Sequence, residues 1–99
     1  MPSNKTTPVF CYTYILESQQ DGERYIGFTN ALKRRVAGHF REDVFSTSDR
    51  GTLRLIYYEA CTDERDAKQR EKYLKATAGR RFLAKRLRYL KLSQLGVNA

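Results

Sequence analysis

The sequence predicts an α+β domain in which a small three-stranded sheet, antiparallel or mixed, is flanked by helices. Two early segments are rich in β-branched and aromatic residues and are separated by a polar turn, whereas later segments carry apolar residues at helical spacing. A chain of 99 residues has the length of one domain with one hydrophobic core. The predicted order of elements is β-β-α-β-α-α, with the helices covering the sheet.

The first two strands are predicted to form a hairpin over residues 11–16 and 24–28, because an Asp-Gly pair, a strong turn signal, lies between them. Side chains of alternate residues lie on the same face of a strand. Tyr14 and Tyr25 are therefore predicted to flank a common pocket across the hairpin. The alternative from these residues alone is a core hairpin in which the tyrosines only pack.

The first predicted helix follows the hairpin and is capped by Thr29 or Asn30. Its apolar residues recur every four positions up to Phe40 and form a single stripe that faces the core. A polar loop over residues 43–51 then leads to the third strand, predicted over residues 52–60.

Two more helices complete the predicted domain, which is expected to span residues 9–95. Thr62 or Asp63 caps the first of these helices, and Gly79 is expected to end it, because glycine commonly follows the last residue of a helix. Leucines at helical spacing predict the final helix over residues 80–95.

The chain carries a formal net charge of +8 and a pI near 9.8, which favours nucleic acid or an anionic membrane surface as its partner. We expect nucleic acid, because no segment approaches the length of a membrane span and no apolar signal segment follows residues 1–8. Residues 1–8 and 96–99 are predicted to be tails, the first of them flexible. Cys11 and Cys61 lack the spacing of a metal site or a disulfide framework and are predicted to be reduced thiols. These features predict a cytoplasmic protein.

Charged residues adjoin the predicted buried faces of two helices. Arg35 and His39 lie four residues apart beside the apolar stripe of the first helix, and Glu71 falls between the inward-facing Ala67 and Leu74 of the second. A carboxylate on an apolar face is costly unless it is paired, protonated or bound to a cation. The structural alternatives are an Arg35–Glu71 ion pair and an isolated histidine. The functional interpretation is a phosphoryl-transfer site, because Arg neutralises phosphate, Glu binds a divalent metal, and His or Tyr transfers a proton.

The motif residues resemble those of the GIY-YIG nucleases, in particular the small single-domain members whose first strand reads Tyr-x-Tyr-Ile-Leu. Tyr14 matches the tyrosine of the first half-motif, and the Tyr-Ile-Gly that begins at Tyr25 is the second half-motif, with ten residues between the two tyrosines. Arg35 matches the arginine of the family, His39 the histidine that many members carry, and Glu71 the metal-binding glutamate.

The likeness extends from Phe10 to Arg81, with three departures from the family pattern. Tyr12-Thr13 replaces the Gly-Ile of the first half-motif, and Phe28 stands where some members have lysine. The asparagine that some larger members carry after the glutamate helix has no clear counterpart.

The resemblance implies hydrolysis of DNA phosphodiester bonds with one divalent cation, Mg²⁺ or Mn²⁺. Glu71 would be the single protein ligand to the metal, and Arg35 would stabilise charge on the phosphate in the transition state. Tyr14, Tyr25 or His39 would accept the proton of the attacking water. We favour Tyr25 for this role, with Tyr14 orienting the phosphate or the water.

Basic residues predict where DNA would lie against the domain. Between residues 65 and 91 there are eleven Lys or Arg and only two acidic residues, too uneven a balance for pairing within helices. The residues predicted to contact DNA are Lys33, Arg34, Lys68, Lys72, Lys75, Arg80 and Arg81. Contacts to the phosphate backbone do not read bases, so we expect selectivity for branched, flapped or single-stranded DNA, with a possible protein partner for targeting. The alternative function is a non-catalytic basic module of the same fold that binds nucleic acid.

Overall fold

The computed structural model describes residues 8–39 and 53–96, with the backbone alone at residues 38 and 39. The strands are β1 (Cys11–Ser18), β2 (Arg24–Thr29) and β3 (Leu53–Cys61). The helices are α1 (Leu32–His39), α2 (Glu64–Lys75), α3 (Thr77–Arg86) and α4 (Arg88–Gln94). The predicted α+β class is confirmed, while Phe40 and the loop predicted over residues 43–51 lie outside the described residues.

The three described strands form one antiparallel sheet in the order β2-β1-β3, so β1 is central and β2 lies at an edge. The predicted hairpin is present, and its turn contains Gly22 in the left-handed region at φ 76°. In the register of the sheet, Tyr14 lies between Gly27 of β2 and Tyr58 of β3. Tyr25 lies opposite Leu16 and therefore on the same face as Tyr14.

The core is divided by β1, whose two faces are both buried. On one face Tyr14 and Leu16 pack with Leu53 of β3, and Leu32 brings α1 against this cluster. On the other face Ile15 is fully buried against α2 and α3. The sheet is therefore covered by α1 on one side and by α2 and α3 on the other.

A buried hydrogen bond fixes α2 against the centre of the sheet. The hydroxyl of Thr13, on β1, donates to the backbone carbonyl of Ala67 over 2.8 Å. Asp63 caps the N-terminus of α2, as predicted, by accepting a hydrogen bond from the amide of Arg65 over 2.9 Å. Hydrogen bonds from the Arg65 side chain and amide lower the pKa of Asp63 to about 2, so this cap stays ionised well into the acid range.

The C-terminal helices differ from the prediction. The helix α2 ends at Lys75, and Gly79 lies inside α3 instead of ending α2. A Cβ atom at Gly79 would lie 2.5 Å from the Cα of Leu74 and still closer to the carbonyl oxygen of Tyr73. The glycine is therefore required for the close contact between α2 and α3. The single helix predicted over residues 80–95 is divided into α3 and α4 at Leu87.

A buried carboxylate anchors the last helix to the sheet. Glu17 of β1 accepts hydrogen bonds from Gln94 of α4 over 2.6 Å and from Arg24 of β2 over 3.2 Å. Its side chain is 8% exposed and also lies 3.9 Å from Arg54 of β3. Two guanidinium groups and an amide therefore stabilise the buried charge.

Two predictions drawn from composition concern cysteines and membranes. Cys11 and Cys61, which face each other across β1 and β3, are both free thiols. Within the described part of the chain, no helix is both long enough and apolar enough to span a bilayer.

The contact at Gly79 leads to a prediction about stability. Gly79→Ala is expected to lower the free energy of unfolding by about 1–3 kcal/mol, because the added methyl group meets the backbone of α2. The measurement is urea denaturation followed by circular dichroism. Ala78→Gly, at the exposed neighbouring position, is the control and should cost about 0.5–1 kcal/mol through backbone entropy alone. A Gly79→Ala variant more stable than the parent would contradict the close contact, since alanine favours an unobstructed helix.

Candidate active site

One groove contains four of the five side chains predicted to take part in catalysis: Tyr14, Tyr25, Arg35 and Glu71. It has a volume of about 440 Å³. We call it the edge groove, and its remaining lining residues are Leu16, Ile26, Gly27 and Phe28. The fifth predicted residue, His39, ends α1, and its side chain lies outside the described part of the structure.

The edge groove forms where two helices from opposite faces of the sheet meet at strand β2. Its lining includes Tyr25 and Gly27 from one face of β2 and Ile26 and Phe28 from the other. The helix α1 supplies Arg35 and the helix α2 supplies Glu71. Residues far apart in sequence therefore meet because, among the strands that the structure describes, none lies on the outer side of β2.

The aromatic ring of Tyr14 crosses β2 at Gly27. A Cβ atom at position 27 would lie only 2.6 Å from the Tyr14 hydroxyl and 2.7 Å from ring atom Cζ. Any larger residue would displace the ring, so glycine is needed here because of close approach. The phenol of Tyr14, a buried residue of the central strand, thereby reaches the edge of the sheet.

A hydrogen bond links Tyr14 to Arg35. The Nε atom of Arg35 donates to the hydroxyl of Tyr14 over 3.2 Å, although Arg35 itself is an exposed residue. Packing of Leu32 in the core fixes α1, and the hydroxyl of Thr29 accepts from the amide of Ala31 just before this helix begins. The first turn of α1 is therefore fixed against the sheet, and this turn holds the guanidinium group of Arg35 at the groove.

Glu71 faces the edge groove as a partly buried carboxylate, with its side chain 24% exposed. Its Oε2 atom accepts a hydrogen bond from the ammonium group of Lys75 over 3.1 Å. The Lys75 side chain is 55% exposed, and ion pairs of such exposure contribute about 0–1 kcal/mol. A metal cation can therefore replace Lys75 at Glu71, and a phosphate group can replace Glu71 at Lys75, at a small cost in free energy.

The chemistry of Glu71 suits a divalent metal such as Mg²⁺, which prefers carboxylate and water oxygens. In residues 8–39 and 53–96, no three His, Cys, Asp or Glu side chains are grouped as a metal cage. A metal at Glu71 would therefore take most of its ligands from water and from substrate phosphate, which is common for Mg²⁺ in phosphoryl-transfer sites.

The cations predicted to bind DNA lie at several places on the described surface. Lys68 lies with its ammonium group 5.4 Å from the ring centroid of Phe28, a groove residue. Lys75 and Arg80 line a second groove beside the first, whereas Lys33 and Arg34 line a separate depression together with Tyr12. Lys72 and Arg81 are exposed on α2 and α3.

One cation of the basic segment is a structural element instead of a surface contact. Arg70 forms two hydrogen bonds with Glu59 of β3, over 2.7 and 3.0 Å, and its guanidinium lies 4.9 and 4.6 Å from the ring centroids of Tyr73 and Phe82. Partial burial tends to raise the pKa of Glu59, but the hydrogen bonds from Arg70 and Tyr57 outweigh it and the pKa is lowered. Arg70 therefore packs α2 and α3 onto β3.

Sequence reasoning missed two features of the site. One is the Glu71–Lys75 ion pair, which the spacing of four residues on a helix indicates. The other is the crossing of the Tyr14 ring over Gly27, for which the glycine of the second half-motif is a signal only once the register of the hairpin is known.

Comparison with known proteins agrees with this geometry. The model of the GIY-YIG catalytic domain matches residues 10–86. A UPF0213 protein of Clostridium perfringens (strain 13 / Type A) is 37% identical over 65 residues, which cover 65% of this chain and 69% of that protein. No solved structure matches the chain significantly. The chain therefore belongs to the GIY-YIG family, and this membership implies a nuclease-type function with DNA as the substrate.

Proposed function

We propose that this protein is a metal-dependent endonuclease that hydrolyses phosphodiester bonds in DNA. The observation that carries the proposal is the edge groove, which contains Tyr14, Tyr25, Arg35 and Glu71 within about 440 Å³. These side chains supply an anion ligand for a metal, a cation for phosphate, and two phenols that transfer or orient protons. A module that only binds nucleic acid has no need for all of them together.

Glu71 is the proposed protein ligand of one Mg²⁺ or Mn²⁺ ion. When bound, such an ion supplies charge neutralisation at the phosphate and lowers the cost of forming hydroxide from water. Glu71 contributes a carboxylate whose contact to Lys75 is exposed and exchangeable. Lys75 in turn becomes available to a phosphate oxygen when it leaves Glu71.

Arg35 is the proposed stabiliser of the transition state. Charge that accumulates on the non-bridging phosphate oxygens is neutralised best by a guanidinium group held in position before the reaction. The hydrogen bond to Tyr14 restrains the Nε atom of Arg35 and so fixes the guanidinium group at the groove. We therefore assign Tyr14 to positioning Arg35 and the phosphate.

Tyr25 is the proposed general base that takes the proton of the attacking water. It lies in the same groove and on the same face of the sheet as Tyr14. His39 is the alternative base, because α1 carries it one turn beyond Arg35.

The proposed substrate is branched, flapped or partly single-stranded DNA, of the kind that arises in repair and recombination. Lys68 and Lys75 flank the edge groove from α2, in positions suited to the phosphate backbone. Contacts to phosphate position DNA without reading its sequence, so selection by DNA structure follows. The proposed site of action is a bacterial-type nucleoid in the cytoplasm, and a protein partner is a further proposed means of targeting.

Replacement of the proposed metal ligand gives the first test of function. Glu71→Ala is expected to reduce Mg²⁺-dependent cleavage of a flapped DNA to background, because the single protein ligand is lost. The affinity for DNA in EDTA and the melting temperature should change little. The matched control is Glu64→Ala, which removes a carboxylate from the same helix and also breaks a four-residue ion pair, with Lys68 at 2.8 Å. Full cleavage by Glu71→Ala would reject the metal role.

Arg35 is tested by the rate at saturating enzyme. Arg35→Ala is expected to lower this rate by about 10²-fold or more, the usual effect of losing one donor to an oxyanion. Arg34→Ala removes the neighbouring charge and should alter the DNA affinity more than the saturated rate. A loss of less than about tenfold for Arg35→Ala would instead indicate a structural arginine.

The two tyrosines are separated by conservative substitutions that retain packing. Tyr25→Phe should lower the single-turnover rate by about 10²–10⁴-fold, the range for removal of a general base. Tyr14→Phe should have a smaller effect, because the hydroxyl that it removes positions Arg35 and the phosphate and does not take the proton of the water. Tyr58→Phe, on the strand beside Tyr14 but outside the edge groove, is the control. A greater loss for Tyr14→Phe than for Tyr25→Phe would exchange the two roles.

A further inference from the structure

A second and larger groove adjoins the edge groove on the side of the hairpin turn. It has a volume of about 680 Å³ and shares Tyr25 and Ile26 with the edge groove. We call it the hairpin–α3 groove, and its other lining residues are Gly22, Glu23, Arg24, Leu74, Lys75, Arg80 and Leu83. The two grooves therefore meet at Tyr25 and Ile26.

The lining of the hairpin–α3 groove combines apolar and cationic groups. Its apolar floor consists of the partly exposed Tyr25 and Ile26, behind which Leu74 and Leu83 are buried in the core. Three cations and one carboxylate complete the lining: Arg24, Lys75, Arg80 and Glu23. The net charge of the lining is therefore positive over an apolar floor.

The three cations differ in their existing partners. Arg24 donates to the buried carboxylate of Glu17 over 3.2 Å, and Lys75 contacts Glu71 over 3.1 Å. Across residues 8–39 and 53–96, the ion pairs do not include Arg80. Arg80 is also exposed, so its guanidinium group can bind an incoming phosphate without breaking another contact.

An unpaired nucleotide matches this combination better than a duplex does. The outer surface of duplex DNA presents charged phosphates, which gain nothing from an apolar floor. An unpaired base has an apolar face that packs on aromatic and aliphatic side chains, while its phosphate binds a cation. The volume of the groove lies within the range of about 300–1,000 Å³ that is usual for sites of small ligands.

We propose that the hairpin–α3 groove binds an unpaired nucleotide next to the scissile phosphate, with the base on the apolar floor and a phosphate on Arg80. This inference rests on the proposed nuclease function and deepens it, because it names the source of structural selectivity. A strand that is free to leave the duplex, at a flap, a nick or a single-stranded end, delivers such a nucleotide. Lys75 lines the hairpin–α3 groove, and its ammonium group contacts Glu71, which lines the edge groove.

The test compares DNA binding by Arg80→Ala and Arg81→Ala in EDTA. These variants remove the same charge from adjacent positions of α3, but only Arg80 lines the groove. The probes are a fluorescein-labelled 12-nucleotide oligo-dT and a duplex of the same length, followed by fluorescence anisotropy. Arg80→Ala should weaken binding of the single strand by about tenfold, as loss of a charge-assisted hydrogen bond does. It should weaken duplex binding far less, and Arg81→Ala should weaken both probes slightly and alike.

A third probe tests the base. An oligo-dT of the same length with abasic spacers keeps the phosphates, and the parent protein should bind it about tenfold more weakly, since stacking of a base is lost. Equal affinity for the two strands would overturn the proposal, because phosphate alone would then explain binding. Equal effects of Arg80→Ala and Arg81→Ala on the single strand would overturn it as well.

The binding test is independent of the chemistry at the edge groove. No divalent cation is present, so the result does not depend on Glu71, Arg35 or Tyr25 as reacting groups. Selective loss of single-strand binding in Arg80→Ala combined with unaltered cleavage in Glu71→Ala would retain the groove and reject the metal role. Unaltered single-strand binding in Arg80→Ala combined with loss of cleavage in Glu71→Ala would support the nuclease function and reject nucleotide binding in the hairpin–α3 groove.

Discussion

Burial of β1 on both faces is the constraint on which the rest of the structure depends. Tyr14 and Leu16 require a cover on one side, and Thr13 and Ile15 require a cover on the other. The helix α1 satisfies the first requirement, and α2 with α3 satisfies the second. Without the carbonyl of Ala67, the hydroxyl of Thr13 would be a buried donor with no hydrogen-bond acceptor. This hydrogen bond therefore also fixes the position of α2.

The location of the candidate site follows from that arrangement. Helices on opposite faces of a sheet are separated by its thickness, and their side chains meet only around an edge. The strand β2 is such an edge, and Gly27 lets the ring of Tyr14 cross it. A small domain therefore brings an arginine and a glutamate from opposite faces to one groove without a second domain or a long loop.

The basic surface divides into cations that hold the fold and cations that remain available to a ligand. Arg70 binds Glu59 and lies against two aromatic rings, while Arg24 binds the buried Glu17, so replacing either arginine removes a partner from a buried or partly buried carboxylate. Lys75 and Arg80 have exposed side chains and line a groove. A net charge of +8 thus indicates that the partner is negatively charged, whereas the contacts of each cation decide where that partner binds.

The sequence by itself determined the strands, the class of fold, the Asp63 cap and the motif residues, because alternation, helical spacing and turn chemistry are local properties of the chain. It did not determine that Gly79 lies inside a helix, that Arg70 pairs with Glu59, or that Tyr14 crosses Gly27. Those features depend on contacts between residues distant in sequence, which form only when the packed elements approach one another. For the same reason the hairpin–α3 groove, built from three separate elements, is visible only in the tertiary structure.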